Sequence, residues 1–305
     1  MESRNVIRFL AILFCLLSVV FAVLFYVEYN AADVLSQQLS ESVEENLLSR
    51  GIALSSESLV TKTPDASVFL CNVSDYHERH FEISDKILNF TFAGQKINKV
   101  DFETPEGVSV GFYNALSDKS EKQLGKMVFS NNDFGIQYFD FRYEKEETPP
   151  LEIVSDFEIE LSYDDKKTVN KFIKCLGENT NFSSKVIGTC EYKGTTLVSV
   201  VQLLDNMQIK DMHINLLLWN GEIISAQGAW LNAKVDKEYY SPLIDGNNVL
   251  YKLPLDKVSE IVSSQIVFSV RQTSDQNYYV MPVWKIEYVD TDNSVNTEYF
   301  DALGE

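Results

Sequence analysis

The clearest feature of the hydrophobic pattern is an uncharged apolar run near the N-terminus. It extends from Phe9 to Val27, and about 19 helical residues would span about 28 Å, close to the thickness of the bilayer hydrocarbon core. Arg4 and Arg8 precede the run, and Glu28 follows it directly. Because basic residues favour the cytoplasmic side, the pattern predicts a single-pass helix whose N-terminus is cytoplasmic and whose following residues lie outside.

Three other interpretations compete with a permanent anchor. A cleaved signal peptide has a shorter apolar core and a small-x-small cleavage site, and the stretch around Ala31 and Ala32 lacks the required upstream small residue. A lipoprotein needs a small residue before its cysteine, whereas Phe14 precedes Cys15. A buried core helix needs an equally apolar partner, which later segments do not offer. We therefore favour the anchor.

An amphipathic helix is predicted directly after the apolar run, from Ala31 to Arg50. Apolar residues recur there every fourth position and form one stripe, and Gly51 supplies a stop signal. The stripe consists of Leu35, Leu39, Val43 and Leu47. This helix either continues the membrane helix outward as a stalk or folds back as the first helix of the outer domain.

The next part of the chain has a mostly β pattern. Alternating segments rich in Val, Ile, Phe and Tyr are separated by Pro, Gly, Asn and Asp clusters, as expected for half-buried strands and turns. The charged segment Glu144–Pro150 is the best domain boundary or long loop. The predicted strands are Ser67–Val73, Ile97–Phe102, Val108–Tyr113, Ile136–Tyr143 and Phe157–Tyr163.

A helix is predicted after Asp164 and Asp165, since acidic residues suit a helix N-terminus. Gly177 would end it, and its apolar positions at i, i+3, i+4 and i+7 are Val169, Phe172, Ile173 and Leu176.

A hairpin follows this helix and two further strands. Asn220-Gly221 is a pair that a type I′ turn favours, and it separates Met212–Trp219 from Glu222–Trp230. The two preceding strands are predicted at Lys185–Tyr192 and Thr195–Leu204.

The C-terminal part is predicted as a third helix followed by two strands. The helix would cover Leu255–Gln265 with Val258, Ile261 and Val262 on one face. The strands would be Tyr278–Tyr288 and Thr297–Ala302, joined by a turn.

Together these elements predict an α+β protein, because helices precede groups of antiparallel strands rather than alternating with parallel ones. We expect three parts: residues 1–29 as the cytoplasmic tip and transmembrane helix, 30–145 as a membrane-proximal α+β domain, and 146–305 as a second α+β region.

The charge balance restricts the classes of partner. The chain has 26 Lys and Arg against 45 Asp and Glu, a net charge of −19. Binding of nucleic acid needs clustered basic residues, so this class is excluded. The same acidity disfavours lying on an anionic membrane surface.

Cysteines are few and odd in number beyond the apolar run. They are Cys71, Cys175 and Cys190, far fewer than a disulfide-built secreted domain contains. Cys175 and Cys190 either pair or remain buried free thiols. A large core without reliance on disulfides fits a Gram-positive bacterial surface better than an animal one.

Ligand-type residues cluster at one place only, a segment after a predicted strand. Its histidines are three apart, whereas the zinc-protease motif places them four apart on a helix with Glu beside the first. A solvated loop is the ordinary interpretation and a metal site is the alternative. The cluster consists of Cys71, Asp75, His77, Glu78 and His80.

No set of catalytic residues emerges elsewhere. His213 stands alone in a predicted strand, and there is no phosphate-binding glycine loop or Gly-x-Ser-x-Gly segment. Trp219, Trp230 and Trp284 lie in or beside strands, where core aromatics are expected. We therefore predict no catalytic, cofactor-binding or metal-binding residues, no cofactor, and no enzymatic activity.

The C-terminal motifs resemble a known family. Met281–Ile286 contains Pro-x-Trp, and Tyr299–Glu305 contains Asp-Ala-x-Gly-Glu after the turn. These motifs are similar to the ending of YycH/YycI-type regulatory proteins and of PepSY-like modules, in which a helix precedes the first of these strands. Val198–Trp230 and Gly51-Ile52 resemble further parts of the same family.

The resemblance implies a non-enzymatic accessory protein of a cell-wall-related two-component system in a Gram-positive bacterium. Its membrane helix would contact a sensor histidine kinase, and a homologous regulator could be its heterodimer partner. Small residues mediate such contacts in lipid, and Ser18 and Ala22, extended by Ala11 and Cys15, form a candidate face.

Two other functions stay open at this point. One is an extracytoplasmic module that binds a peptide or wall fragment in a groove or along a sheet edge. The other, less favoured, is an enzyme that acts on the cell wall, since carboxylates are abundant but not specifically arranged.

Overall fold

The protein is a mixed α+β fold with a large sheet and few helices. The computed structural model describes residues 2–60, 63–72, 74–94, 96–104, 107–114, 122–130, 135–140, 160–177, 181–192, 194–274 and 277–304. The predicted boundary at Glu144–Pro150 lies outside these residues, so the division of the chain at 145/146 stays a prediction.

The helices are α1 (Glu2–Ser49), α2 (Ser74–Thr91), α3 (Tyr163–Leu176) and α4 (Gly246–Leu250). The strands are β1 (Ala53–Glu57), β2 (Ser67–Asn72), β3 (Ile97–Thr104), β4 (Gly107–Asn114), β5 (Lys122–Ser130), β6 (Gly135–Asp140), β7 (Phe182–Tyr192), β8 (Thr195–Leu204), β9 (Met207–Trp219), β10 (Glu222–Ala229), β11 (Lys234–Tyr240), β12 (Val258–Ser274), β13 (Asn277–Asp290) and β14 (Val295–Asp301).

Helix α1 joins the predicted membrane segment and the predicted amphipathic helix into one continuous helix. It ends beside Gly51, which has a φ of 81°, and the N–H of Ile52 donates to the carbonyl of Leu47. Val43 and Leu47 of the predicted stripe are 2% and 0% exposed. The amphipathic helix therefore continues the apolar segment without folding back, and its last turns pack into the folded part of the chain.

Membrane crossing is not confirmed by the structure. Across the residues that it describes, no helix has both the length and the apolarity that are needed to traverse a bilayer. The transmembrane role of Phe9–Val27 stays a prediction.

The chain forms two compact units that alternate along the sequence. The first, unit 1, contains residues 1–66, 242–266 and 283–305, and the second, unit 2, contains residues 67–241 and 267–282.

Unit 1 is built on the end of α1 and on short strand ladders. Strand β1 pairs in parallel with β12, and β13 pairs antiparallel with β14, with Trp284 opposite Phe300. Large side chains that are 0–2% exposed form its interior: Leu47, Ile52, Ile261, Trp284 and Ile286.

Unit 2 contains most of the strands. Eight of them follow one another in an antiparallel order, β3-β4-β5-β6-β10-β9-β8-β7. Strand β2 lies between β11 and β13, antiparallel to both. Helices α2 and α3 share one hydrophobic core with these strands, because Ile83, Ile87, Phe172, Phe112 and Leu216 belong to one buried cluster.

Helix α3 confirms its prediction closely. Ser162 is its N-cap and accepts a hydrogen bond from the N–H of Asp165, as capping residues do. The four buried residues of the helix are those of the predicted face, Val169, Phe172, Ile173 and Leu176.

The Asn220-Gly221 hairpin is also confirmed. Asn220 and Gly221 have φ values of 50° and 77° between β9 and β10, the sign that a type I′ turn requires at both central positions. Glycine adopts this conformation without a steric penalty.

The predicted helix at Leu255–Gln265 is wrong, because residues 255–257 form a turn and the remainder belongs to strand β12. The spacing of Val258, Ile261 and Val262 suits a helix, but β-branched side chains also suit a sheet with neighbours on both sides. Pairing decided the outcome: β1 lies along β12, and Ser55 donates its hydroxyl to the carbonyl of Val262. The only helix between Pro242 and Ser274 is the short α4.

Two further predictions differ from the structure. The segment after β2 forms helix α2 rather than a solvated loop. The strand predicted at Phe157–Tyr163 is wrong in its described part, since Leu161 precedes the N-cap of α3 and Tyr163 begins that helix; residues 157–159 lie outside the described part. Strand β1 follows Gly51-Ile52, where the family resemblance places the first strand, whereas the sequence analysis predicts neither β5 nor β11.

Candidate functional site

The stretch of α1 from Leu13 to Leu24 exposes a continuous apolar surface. Every side chain from Leu13 to Leu24 is exposed, and Phe14 and Phe21 are 76% and 67% exposed. More than three helical turns lie in this stretch, so the apolar surface surrounds the helix rather than forming one stripe. The hydroxyl of Ser18 donates to the carbonyl of Phe14 at 2.9 Å and thus is satisfied within the helix.

The other end of the same helix is anchored in unit 1. Val43 and Leu47 are buried there, whereas Glu44 and Glu45 face solvent. Arg50 donates from Nε to Oδ1 of Asn46 at 3.0 Å and covers the last turn. Any contact made by the exposed apolar part is therefore made by an element that is continuous with the folded unit.

The ligand-type cluster does not form a site in the described residues. Cys71 lies on β2 and is 0% exposed, while Asp75, His77 and Glu78 lie on α2, where the structure does not describe their side chains. His80 is 8% exposed and packs against Phe81 and Phe129, with ring centroids 4.0 and 6.0 Å away.

Electrostatics argue against a reactive thiol at Cys71. Burial raises its pKa to about 12, and the Asp236 carboxylate adds to the shift, so the thiolate needed for nucleophilic attack or metal binding is disfavoured. Within the described residues, no group of three potential metal ligands occurs.

The remaining candidate residues are separate from one another. His213 lies on β9; burial lowers its pKa, and Asp211 opposes this shift. Cys175 and Cys190 are both free. Trp230 and Trp284 are buried as predicted, but Trp219 is 43% exposed.

A concave surface lined by both polar and apolar residues lies between α3 and β7. A cavity of about 560 Å³ is lined by Lys166 and Asn170 of α3 and by Val186 and Thr189 of β7. A second cavity of about 750 Å³ shares Asn170 and continues toward Phe182 at the beginning of β7. We call this surface the α3–β7 groove.

Buried amides form the rigid end of this groove. Gln202 is 1% exposed, and its side chain donates to the carbonyl of Leu231 at 2.8 Å and accepts from the N–H of Leu231 at 2.9 Å. Asn232 donates from Nδ2 to the carbonyl of Leu176 at the end of α3. The sequence does not predict this groove, because its lining combines residues of α3, β7 and β8 with Trp230–Asn232, which are far apart along the chain.

Comparisons with known proteins do not assign a family. No protein-family model matches the sequence, and no curated protein matches it. An uncharacterized protein from Eubacterium rectale is similar in structure over 83% of this chain and 88% of its own, with a TM-score of 0.45 and 9% identity. The YpeB C-terminal domain of Bacillus megaterium is similar over 73% of this chain and 92% of its own, with a TM-score of 0.36 and 11% identity.

Both TM-scores are below 0.5, so neither similarity supports a conclusion about function. The similarity to the YpeB domain is compatible with a PepSY-like module but adds no weight to it, and it does not identify the chain as YycH/YycI-like.

Proposed function

We propose that this protein is a membrane-anchored extracytoplasmic regulator that acts by protein contact, through α1, on the transmembrane part of a cell-wall-related sensor histidine kinase. The observation that carries the proposal is the continuity of α1: the exposed apolar stretch Leu13–Leu24 and the buried residues Val43 and Leu47 belong to one helix. The proposal includes no catalytic step and no cofactor.

The exposed apolar surface of α1 must be shielded from water by lipid or by another protein segment. A helix that is apolar on all sides is found inside a protein or in a membrane, because large exposed apolar surfaces are unfavourable in water. The stretch from Leu13 to Leu24 presents such a surface, and lipid together with a partner helix would cover it. Arg4 and Arg8 on one side and Glu28 on the other support an N-terminus in the cytoplasm.

The buried half of α1 supports transmission along the helix. A helix of 48 residues is about 72 Å long, and Val43 and Leu47 set the rotation of its outer end within unit 1. A displacement of unit 1 would therefore rotate or shift the apolar part as well. A flexible linker between anchor and domain would transmit neither.

Partner contact in lipid depends on packing of small residues. Ala11, Cys15, Ser18 and Ala22 place small side chains within the apolar run, and they are the candidate face toward the kinase. The same face could instead hold a homologous regulator in a heterodimer, which would then regulate the kinase jointly.

Alanine insertions test the coupling. The variants carry one, two, three or four alanines inserted between Tyr29 and Asn30. Every added alanine rotates the apolar part by about 100° relative to unit 1. We expect kinase output to change most with two alanines and to recover largely with four, which add about 400°. Output that is the same for every insertion would contradict coupling through the helix.

Two controls make the result specific. Insertion of Gly-Pro-Gly-Gly has the length of the four-alanine insertion but interrupts the helix, so we expect it to abolish the response. Replacement of Phe9–Val27 by an unrelated membrane helix should abolish recovery of the kinase after crosslinking in membranes. Kinase regulation that survives this replacement would place the contact in the outer domain.

A further inference from the structure

Strand β11 forms an outer edge of the large sheet. Among the residues that the structure describes, β11 stands at the end of the strand order and pairs with β2 alone. Its seven residues extend over about 24 Å, and all of them except Val235 are exposed. Such an edge presents backbone N–H and C=O groups to which an extended peptide can add as a further strand.

The two faces of this edge carry opposite charge. Directly opposite residues of an antiparallel pair have their side chains on the same face of the sheet. Glu238 lies opposite Phe69, and Lys237 lies opposite Leu70, so the two charged side chains point to opposite faces. The partner of Lys234 lies two residues beyond Leu70 in β2, so Lys234 shares the face of Lys237. We call the side of Glu238 the acidic face and the side of the two lysines the basic face.

A β-bulge brings the two lysines to one face. The pairing of β11 with β2 shifts between Val235 and Lys237, so Asp236 has no residue opposite it in β2. Residues three apart in a regular strand point to opposite faces, and one extra residue reverses this relation. After the bulge, Lys237–Tyr240 pair regularly with β2. These four residues therefore offer a regular edge on which basic and acidic side chains alternate.

An open cavity of about 410 Å³ adjoins the acidic face. It is lined by Glu238 of β11, Phe69 of β2, Phe182 of β7, and Asp205 and Asn206 between β8 and β9. Glu238 and Asp205 are exposed, and within the described part of the chain neither carboxylate forms an ion pair. The rings of Phe69 and Phe182 suit the aliphatic stem of a long basic side chain, whose charged end the carboxylates would attract.

Two exposed tyrosines extend the edge beyond its charged residues. Tyr239 and Tyr240 are 42% and 76% exposed. Because they are adjacent in a strand, one belongs to each face. Tyrosine is enriched in protein interfaces, since its ring provides apolar contact area while its hydroxyl group stays hydrated. Each face of the edge thus combines a charged side chain with an aromatic one.

We propose that the β11 edge binds an extended peptide of alternating charge, which adds as a strand to Lys237–Tyr240 with its basic side chains on the acidic face and its acidic side chains on the basic face. Opposite charges directly across a pair of strands stabilise the pairing, and like charges weaken it. A basic side chain opposite Glu238 would enter the cavity toward Asp205. The inference goes beyond the proposed regulation of a kinase and does not depend on α1 crossing a membrane.

The test uses the full chain in detergent and a fluorescein-labelled peptide of eight alternating Lys and Glu residues, followed by fluorescence anisotropy. The matched probe has the order Lys-Lys-Glu-Glu-Lys-Lys-Glu-Glu. Both probes have the same composition and charge, so general attraction to a chain of net charge −19 is the same for both. The matched probe, however, places both signs of charge on each face. We expect saturable binding of the alternating peptide and at least about tenfold weaker binding of the other. Equal binding would overturn the proposal.

Charge reversals locate the site. We expect E238K to weaken binding of the alternating peptide about tenfold. The control E191K makes the same change in net charge at an exposed residue of β7 outside the cavity, and it should weaken binding by less than about threefold. Equal effects of E238K and E191K would overturn the proposal.

A charge exchange tests the pairing across the two faces. K237E alone should also weaken binding, because it places an acidic side chain opposite an acidic one. The variant K237E/E238K restores alternation, and the peptide can match it by shifting one residue along the edge. We therefore expect it to bind more tightly than either single variant, whereas additive weakening would overturn the proposal.

Backbone methylation of the probe tests strand addition. An added strand uses every second N–H for pairing, so N-methylation of one alternate set of amides should abolish binding and methylation of the other set should not. Equal effects of the two sets would overturn strand addition. Dimerisation of the chain that E238K disrupts would assign the β11 edge to a second copy and would also overturn the proposal.

Discussion

Trp284 donates its indole N–H to the backbone carbonyl of Ile244 at 2.9 Å, and its side chain is 1% exposed. Trp284 is the tryptophan of the Pro-x-Trp motif, so this motif has a structural role in unit 1. The residue connects strand β13 to the segment that leads into α4.

Replacing Trp284 with Phe should destabilise the protein. The change removes the hydrogen bond, leaves the carbonyl of Ile244 without that donor and opens a small cavity, so we expect a loss of about 2 kcal/mol in the free energy of unfolding. Urea denaturation would measure it. Trp219→Phe is the matched control, because Trp219 is 43% exposed and should cost less. Equal losses would contradict the assignment.

Gly246 should tolerate no side chain. A Cβ at Gly246 would lie 2.6 Å from an atom of the Trp284 ring, so we expect Gly246→Ala to cost about 1–3 kcal/mol through overpacking. Gly304→Ala is the control, since nothing lies within 4 Å of a Cβ there. A double-mutant cycle with Trp284→Phe should show a coupling free energy; additive losses would argue against the contact.

Asn247 should contribute to the stability of the protein, whereas the adjacent Asn248 should not. It is 0% exposed, and its side chain accepts from the N–H of Val60 at 3.0 Å and donates to the carbonyl of Val60 at 2.8 Å. Asn247→Ala leaves both groups unpaired, so we expect a loss of about 2–4 kcal/mol by urea denaturation. Asn248→Ala, at an exposed position, should cost less than about 0.5 kcal/mol.

The turn at Asp290 should lose stability in acid. A hydrogen bond from the N–H of Ser294 lowers the pKa of the Asp290 carboxyl, with further bonds from Asp292 and Asn296 outweighing the effect of burial. Because the pKa of Asp290 is lower in the folded state, the ionised carboxylate stabilises the fold at pH values above the unfolded-state pKa of about 4. This stabilisation is lost as the pH falls through the folded-state pKa.

Thermal unfolding at a series of pH values would measure this contribution. We expect Asp290→Asn to lower the melting temperature at neutral pH and to reduce the further loss between about pH 5 and pH 2. Asp292→Asn removes a charge from the same turn and should leave the acid loss intact. Identical profiles for both variants would refute the role of Asp290.

Cys71 should resist alkylation in the folded protein. It is 0% exposed, and burial raises its pKa to about 12, with a further contribution from Asp236. Iodoacetamide reacts with the thiolate, so we expect modification of Cys71 only after unfolding in guanidinium, as measured by peptide mass spectrometry. Modification of the native chain at the unfolded rate would contradict this.

Much of the local structure follows from the sequence because it depends on nearby residues. The buried face of α3 is set by spacing within the helix, the turn at Asn220-Gly221 by the φ values that those residues tolerate, and the end of α1 by Gly51. The apolar stretch of α1 from Leu13 to Leu24 and the acidic net charge are likewise features of the sequence itself. The membrane anchor predicted from Phe9–Val27 stays a prediction.

Tertiary structure decided the features that depend on distant partners. Val258 to Val262 fit a helix or a strand by spacing, and pairing with β1 made them a strand. The α3–β7 groove is lined by residues of α3, β7 and β8 that are far apart in sequence, and Trp284 likewise meets Gly246. Such contacts depend on the global arrangement of the chain, which no local pattern encodes.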